Sequence, residues 1–206
     1  MTKKKRPADE GAEALLAADA ATLDAVAPYR RTLPVRALST FSKLGDQPPL
    51  RILCASMIAA GLGGGNRRLA LAGARAIAAH SLATGAKNFV KHRIDRTRPQ
   101  ARGNGSGSHK PKKGRQRSKQ ETSFPSGHSA GAAAVARAFA RDYPEYEAAA
   151  LGAAGLVALA QIPRCAHYPT DVGAGLAIGI AAEAVTDFAW NRLANGRRGR
   201  GLSPGG

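Results

Sequence analysis

Three short clusters hold the residue types that chemistry needs. The first is Lys91-His92-Arg93-Ile94-Asp95-Arg96-Thr97-Arg98-Pro99. Lys91 and Arg98 stand two helical turns apart, so both cations project from one face of a helix that continues through them. The guanidinium is a planar fork matched to phosphate oxygens, and the ammonium is a mobile point charge. The second cluster is Ser123-Phe124-Pro125-Ser126-Gly127-His128, directly before an alanine-rich run. A helix starting there offers an anion the hydroxyl of Ser126 and free backbone N–H groups at Gly127, with His128 able to give a proton near neutral pH. The third is His167-Tyr168-Pro169-Thr170-Asp171. A histidine with an aspartate four residues on fits a nucleophile and its orienting carboxylate. It also fits half of a metal site, but no set of Cys, His or carboxylates completes one, so no metal and no cofactor is expected. Singly, each cluster has a plainer reading: a solvated basic helix end, a serine N-cap, an isolated His–Asp pair.

The elements that must position these clusters read as helices. Residues 1–11 form a basic tail, and Ala12–Val26 a weakly amphipathic helix with Leu16, Leu23 and Val26 on one side. A loop containing Pro34 and Pro48-Pro49 leads to an apolar helix over about 50–62, closed by Gly63-Gly64-Gly65-Asn66. A second core helix spans about 68–93. Pro99–Ser123 is then rich in Gly, Ser, Lys and Arg with almost no large apolar residue, a flexible basic insertion over about 100–122. Helical patterns resume at about 127–141, 146–161 and 171–194, and 196–206 is a basic glycine-rich tail. The expected fold class is all-α: a bundle of five core helices plus an N-terminal amphipathic helix, forming one domain over 12–195. If consecutive helices alternate in direction, all three clusters fall at one end of the bundle. Two cations, a helix N-terminus, two histidines and a carboxylate are the parts for phosphoryl transfer through a covalent intermediate.

Composition narrows the partners. The chain has 206 residues, 31 Lys+Arg against 14 Asp+Glu, and a formal charge of +17, which points to an anionic partner. Hydrophobic residues at 44% exclude wholesale disorder, and aromatics at 5% argue against a stacking platform for single-stranded nucleic acid. Cys54 and Cys165 cannot build a disulfide framework and read as buried small hydrophobes. No cleavable secretory signal is evident, because Asp9, Glu10 and Glu13 follow the Lys3–Arg6 run. Three apolar segments, Ile52–Asn66, Ala148–Pro163 and Val172–Ala182, approach a membrane span in length. They fit equally short spans packed through Gly152, Gly155, Gly173, Gly175 and Gly179, or buried helices of a soluble bundle.

Together, Lys91 with Arg98-Pro99, then Pro125-Ser126-Gly127-His128, then His167 with Asp171 closely resemble the three signature motifs of the type 2 phosphatidic acid phosphatase superfamily, which also includes vanadium haloperoxidases. The resemblance covers about residues 50–190 in the right order. It implies a helical, metal-independent phosphatase, most like small bacterial members that act on lipid phosphates, in a multi-pass arrangement in the cell membrane. By position it implies that His167 attacks phosphorus, Asp171 holds His167, and His128 protonates the leaving oxygen. Lys91, Arg98, Ser126 and the Gly127 amide would bind the equatorial oxygens.

One position departs from the pattern. Where the family has an arginine six residues before the nucleophilic histidine, this chain has Gln161, and losing one charged contact there costs about 3 kcal/mol of transition-state stabilisation. Arg164, three residues on, is the available substitute, although Pro163 leaves its direction open. Gln161 therefore motivates a second expectation, a degenerate member that binds phosphorylated or anionic lipid without turnover. The basic run over 103–119 motivates a third, a nucleic-acid-binding protein, against which stands the lack of any base-reading module. Residues 91–119 carry eleven Lys/Arg, so the positive-inside tendency turns the site toward the cytoplasm, whereas the resemblance turns it outward.

Overall fold

The computed structural model describes residues 7–104, 110–114, 118 and 120–200. Seven α-helices account for most of them: α1 Pro7–Val26, α2 Leu33–Ser42, α3 Gln47–Gly63, α4 Arg67–Lys91, α5 Gly127–Asp142, α6 Glu147–Leu159 and α7 Pro169–Arg200. The fold class is all-α, as the sequence implies. The five core helices α3 to α7 form the bundle, with α5 at its centre against α3, α4, α6 and α7.

The alanine-rich face of α5 explains its central place. Ala134, Val135 and Ala138 pack with Ala76, Ala79 and Ala83 of α4 and Leu50 and Cys54 of α3. Small side chains let backbones approach closely. A Cβ at Gly175 would lie 2.4 Å from the Ser126 carbonyl oxygen, and one at Gly179 2.4 Å from that of Ala130. These two glycines, one turn apart on α7, hold the start of α7 against the start of α5. Gly152, Gly155 and Gly173 have no such neighbour.

Four local features differ from the sequence expectation. The first helix begins at Pro7 rather than residue 12, and α7 continues to Arg200 through residues expected to be tail. The segment expected as a loop contains α2, whose Pro34 lies within the first helical turn, where a missing N–H costs nothing. The described parts of the insertion are tied down: β1 Ile94–Asp95 pairs antiparallel with β2 Lys112–Lys113, and Arg96 bridges to Thr122. Expectations about 1–6, 105–109, 115–117, 119 and 201–206 lie outside the described residues.

Helix α1 docks on the site end. Leu23 packs with Cys165 and Tyr168, and the buried Asp19 carboxylate receives Arg96 Nη2 at 2.6 Å. Both cysteines are buried and free.

Candidate active site

Chain alternation puts the three clusters at one end, and hydrogen bonds join them. The Ser126 N–H donates to the Asp171 carbonyl at 3.0 Å, which fastens the start of α5 to the start of α7. Ser126 caps α5, its Oγ accepting from the N–H and Oγ of Ser129.

Asp171 is fully buried and heavily bonded. Its Oδ2 accepts from Ser123 Oγ at 2.5 Å and from the Tyr168 N–H at 3.0 Å, and its Oδ1 accepts from Arg96 Nη1 at 2.6 Å. Arg96 itself bridges Asp171 to Asp19, also donates to Thr170 Oγ1, and lies 3.8 Å over the Tyr168 ring. Thr170 closes the circuit by donating its N–H and hydroxyl to Asp19. A buried cation between two carboxylates is satisfied on every side, so this network locks Asp171 in place.

His167 is 1% exposed, with Nδ1 3.7 Å from Asp171 Oδ2. That spacing is longer than a hydrogen bond, as is common for catalytic contacts without substrate. Burial pushes the His167 imidazole down to about 4, with Arg98 and Lys91 adding to the effect and Asp171 opposing it. At neutral pH the ring therefore keeps a free lone pair, which a nucleophile requires.

His128 stands in the first turn of α5, before the apolar run Ala130–Ala140. Burial pushes it down to about 4 as well, opposed by Asp46 and reinforced by Arg164, Arg98 and Lys91. Its Nε2 lies 2.8 Å from Asp46 Oδ1 without the alignment of a hydrogen bond. Asp46 is the N-cap residue of α3, yet its side chain makes no cap hydrogen bond and is turned to His128.

The loop before His167 settles where Gln161 and Arg164 lie. The Gln161 carbonyl accepts from both the Ala166 and His167 N–H groups, at 3.0 and 3.2 Å. Its side chain is turned into the protein, Nε2 donating to the Val157 carbonyl at 2.8 Å. Arg164 Nη1 donates to Ser42 Oγ at 2.9 Å and makes a long 3.5 Å contact with Gln161 Oε1. Arg164 is half-buried there, and its charge adds to the burial that lowers Arg98 and His128. Cys165, next in sequence, has φ 55, a left-handed backbone that costs a non-glycine residue about 1–2 kcal/mol.

The sequence-predicted residues Lys91, Arg98, Ser126, Gly127, His128, Gln161, Arg164, His167 and Asp171 are thus brought to one end, with Gln161 facing inward. Four contributors escape the sequence reading: Asp19, Asp46, Ser42 and Lys87. Lys87 is buried one turn before Lys91 on α4, and a Cβ at position 127 would fall 3.4 Å from its Nζ. Glycine at 127 leaves room for that ammonium beneath the start of α5. The shared face of Lys87 and Lys91 was the available clue. Among the described residues no group of three or more His, Cys, Asp or Glu could hold a metal ion.

Against known proteins, the family model of the PAP2 superfamily matches residues 68–193, more than half of the chain and all three clusters. The chain belongs to the PAP2 superfamily. Among curated proteins, it is 40% identical over 70 residues to a lipid A 1-phosphatase of Rhizobium johnstonii, covering 34% of this chain and 29% of that protein. It is 46% identical over 57 residues to a lipid A 1-phosphatase of Rhizobium etli, covering 28% and 25%. The matched stretch thus spans less than a third of either relative. Among solved structures, the PAP2 fold here resembles a transmembrane phosphatidylglycerolphosphate phosphatase from Bacillus subtilis, with a TM-score of 0.61, 20% identity and 87% and 88% of the two chains covered. It also resembles LpxE of Aquifex aeolicus, with a TM-score of 0.54, 20% identity and 80% and 91% covered.

Proposed function

We propose that this PAP2 protein is a phosphatase that hydrolyses a lipid phosphate through a phosphohistidine. The observation that carries the reading is the buried, neutral His167 beside a locked Asp171 in the field of Lys91 and Arg98. His167 Nε2 attacks phosphorus and the P–O bond to the lipid breaks. His128 gives its proton to the departing oxygen. Water then attacks the phosphohistidine, returning a proton to His128 and releasing phosphate and free His167. Lys91, Arg98, Ser126 Oγ, the Gly127 N–H and Arg164 hold the non-bridging oxygens, and Arg164 supplies the charge that Gln161 lacks.

Burial, and after it the charges of Arg164, Arg98 and Lys91, hold His128 low. A bound phosphate dianion offsets the cations' share of that shift and so favours the charged acid beside the leaving oxygen.

Support for a lipid comes from an apolar groove of about 440 Å³ lined by Phe41, Leu44, Leu53, Met57, Val135 and Val157 among others. It starts beside the site, because Gly45 in its wall lies against His128, its Cβ position 3.6 Å from the His128 side chain. Support for a membrane setting comes from α7, where Pro169–Asn195 is long and apolar enough to span, the one such helix among the described residues. Ile52, Leu53 and Leu62 of α3, Leu151, Leu156 and Leu159 of α6, and Ile180, Val185 and Phe188 of α7 are all exposed. Such an apolar exterior is what a lipid-facing surface requires. We place the bundle in the bacterial cell membrane as a multi-pass protein, with the catalytic residues at the polar end beyond the helices' apolar runs.

The test is phosphate release from lipid phosphates in detergent micelles by wild type and His167→Ala, with acid-labile, base-stable label on the trapped wild-type protein. Release equal in the two proteins would overturn catalysis and leave the binding-only reading suggested by Gln161.

A further inference from the structure

Asp46 stands at the N-cap position of α3 but has no helix N–H to cap. A capping aspartate accepts from the N–H of the second or third helical residue, and here those residues are Pro48 and Pro49, which have none. The carboxylate makes no hydrogen bond to the helix it precedes and lies instead with Oδ1 2.8 Å from His128 Nε2. The turn before it is pressed into place. A Cβ at Gly45 would overlap Val157 Cγ1 of α6 and meet the His128 side chain, so glycine at 45 lets the chain pass close enough to deliver Asp46 to the acid.

We infer that Asp46 is a positioning residue for the general acid, holding His128 as the imidazolium that protonates the leaving oxygen. This rests on the phosphatase reading and adds to it the group that keeps the acid charged. The contact is close but off the line of a hydrogen bond, so Nε2 keeps its N–H direction for the departing oxygen while the carboxylate stabilises the charge from the side. The other charges acting on His128 oppose its protonation: Lys91 from the end of α4, Arg98 from the segment after it, and Arg164 from the loop before His167. Lys87, one turn further into α4, is another cation, buried against Gly127. Asp171, the acid that α7 brings to this end, is taken up by Arg96, Ser123 and His167. Among the described residues Asp46 is the one acid whose charge favours the imidazolium. The same carboxylate acts on Arg164, so the acid and a phosphate-binding arginine share a counter-ion. The proton passes from His128 Nε2 to the leaving oxygen as the P–O bond breaks. His128 recovers one from the water that attacks the phosphohistidine, and Asp46 carries no proton in either step. An alkoxide leaves poorly without a proton, whereas a nitrophenolate leaves without one. The effect of Asp46 therefore grows with the basicity of the leaving oxygen.

The test compares two amphiphilic monophosphates of similar tail in detergent micelles, an alkyl phosphate and an alkylated nitrophenyl phosphate. Wild type and the neutral variants Asp46→Asn and Asp46→Ser are assayed across the pH range, with thermal unfolding as the check on folding. Because Asp46 makes no cap bond, neither substitution removes one from α3. Each variant is expected to lose at least about tenfold more kcat/KM on the alkyl phosphate than on the nitrophenyl phosphate. On the alkyl phosphate, the alkaline limb of kcat should also move down by about one pH unit. The sign follows from the charge: without the carboxylate the imidazolium gives up its proton at a lower pH. A purely structural role would lower both substrates alike and leave the limb in place. Equal losses on the two substrates, or an unmoved limb, overturn the role of Asp46 and leave the phosphatase reading standing. Absence of phosphate release from both substrates by wild type overturns that reading and this inference with it.

Discussion

Away from the site, Arg75 lies between Asp142 and Asp187, Arg137 and Arg141 both grip the buried Glu183, and Arg68 reaches Glu145. At the site end Arg96 is enclosed between carboxylates, while Arg30, Arg36, Lys43 and Arg164 converge on a space that no acid among the described residues lines. Both ends carry many arginines, so composition does not separate them. Pairing does. Cations matched by acids cross-link helices, whereas cations gathered without acids hold an attraction in reserve for something that arrives.

The sharpest way to break this contrast is to disturb the enclosed Arg96. Asp19→Leu leaves Arg96 buried with half its partners, a loss of about 3–5 kcal/mol that should lower Tm by roughly 10 °C and slow phosphate release as α1 loosens. An unchanged Tm would remove α1 from the structural role given to it here. Arg164→Ala should do the reverse, leaving Tm nearly unchanged while kcat/KM falls on the order of a hundredfold, about 3 kcal/mol in the transition state. Steady-state assays beside calorimetry separate the two outcomes.

Titration offers a third comparison. His167 and His128 are held neutral in the fold at about 4, against 6.5 for the ordinary group. Their stability contribution is complete above pH 6.5 and is lost as pH falls from 6.5 to 4, because the unfolded chain takes up those protons first. The loss is on the order of 3 kcal/mol at most per histidine, and Tm measured from pH 7.5 to 4 should flatten in His167→Gln. Inorganic phosphate should stabilise the fold through the site end by about 2.7 kcal/mol at a hundred times its Kd, read as a higher Tm, and fail to do so in Lys91→Ala/Arg164→Ala. The smallest effect belongs to the exposed Arg68–Glu145 pair: Glu145→Ala should leave Tm and activity within measurement error, as surface pairs usually do.

Much of the site was legible because its chemistry is local. Lys91 and Arg98, Ser126 to His128, and His167 with Asp171 are short spacings, and the apolar runs mark five helices within a few residues of their ends, the C-terminal end of α7 excepted. What escaped reading was set by tertiary contact. Asp19 is an ordinary helical acid until α1 folds back onto Arg96, and Asp46 falls in an expected loop until the start of α3 brings it to His128. Helix α2 was obscured by Pro34, which breaks a helix interior but suits a first turn. Gln161 looked like a lost phosphate ligand, whereas its carbonyl gathers the Ala166 and His167 N–H groups and its amide faces inward.

The two buried cysteines make the native chain a clean background for thiol labelling. Cys54 and Cys165 are both shielded, so a membrane-impermeant maleimide in intact cells would report on an added thiol alone. Thr40→Cys marks the rim of the space lined by Arg36, Lys43 and Arg164, and Tyr146→Cys, on an exposed residue, marks the far end between α5 and α6. Whichever of the two is modified from outside names the compartment that supplies the substrate's headgroup.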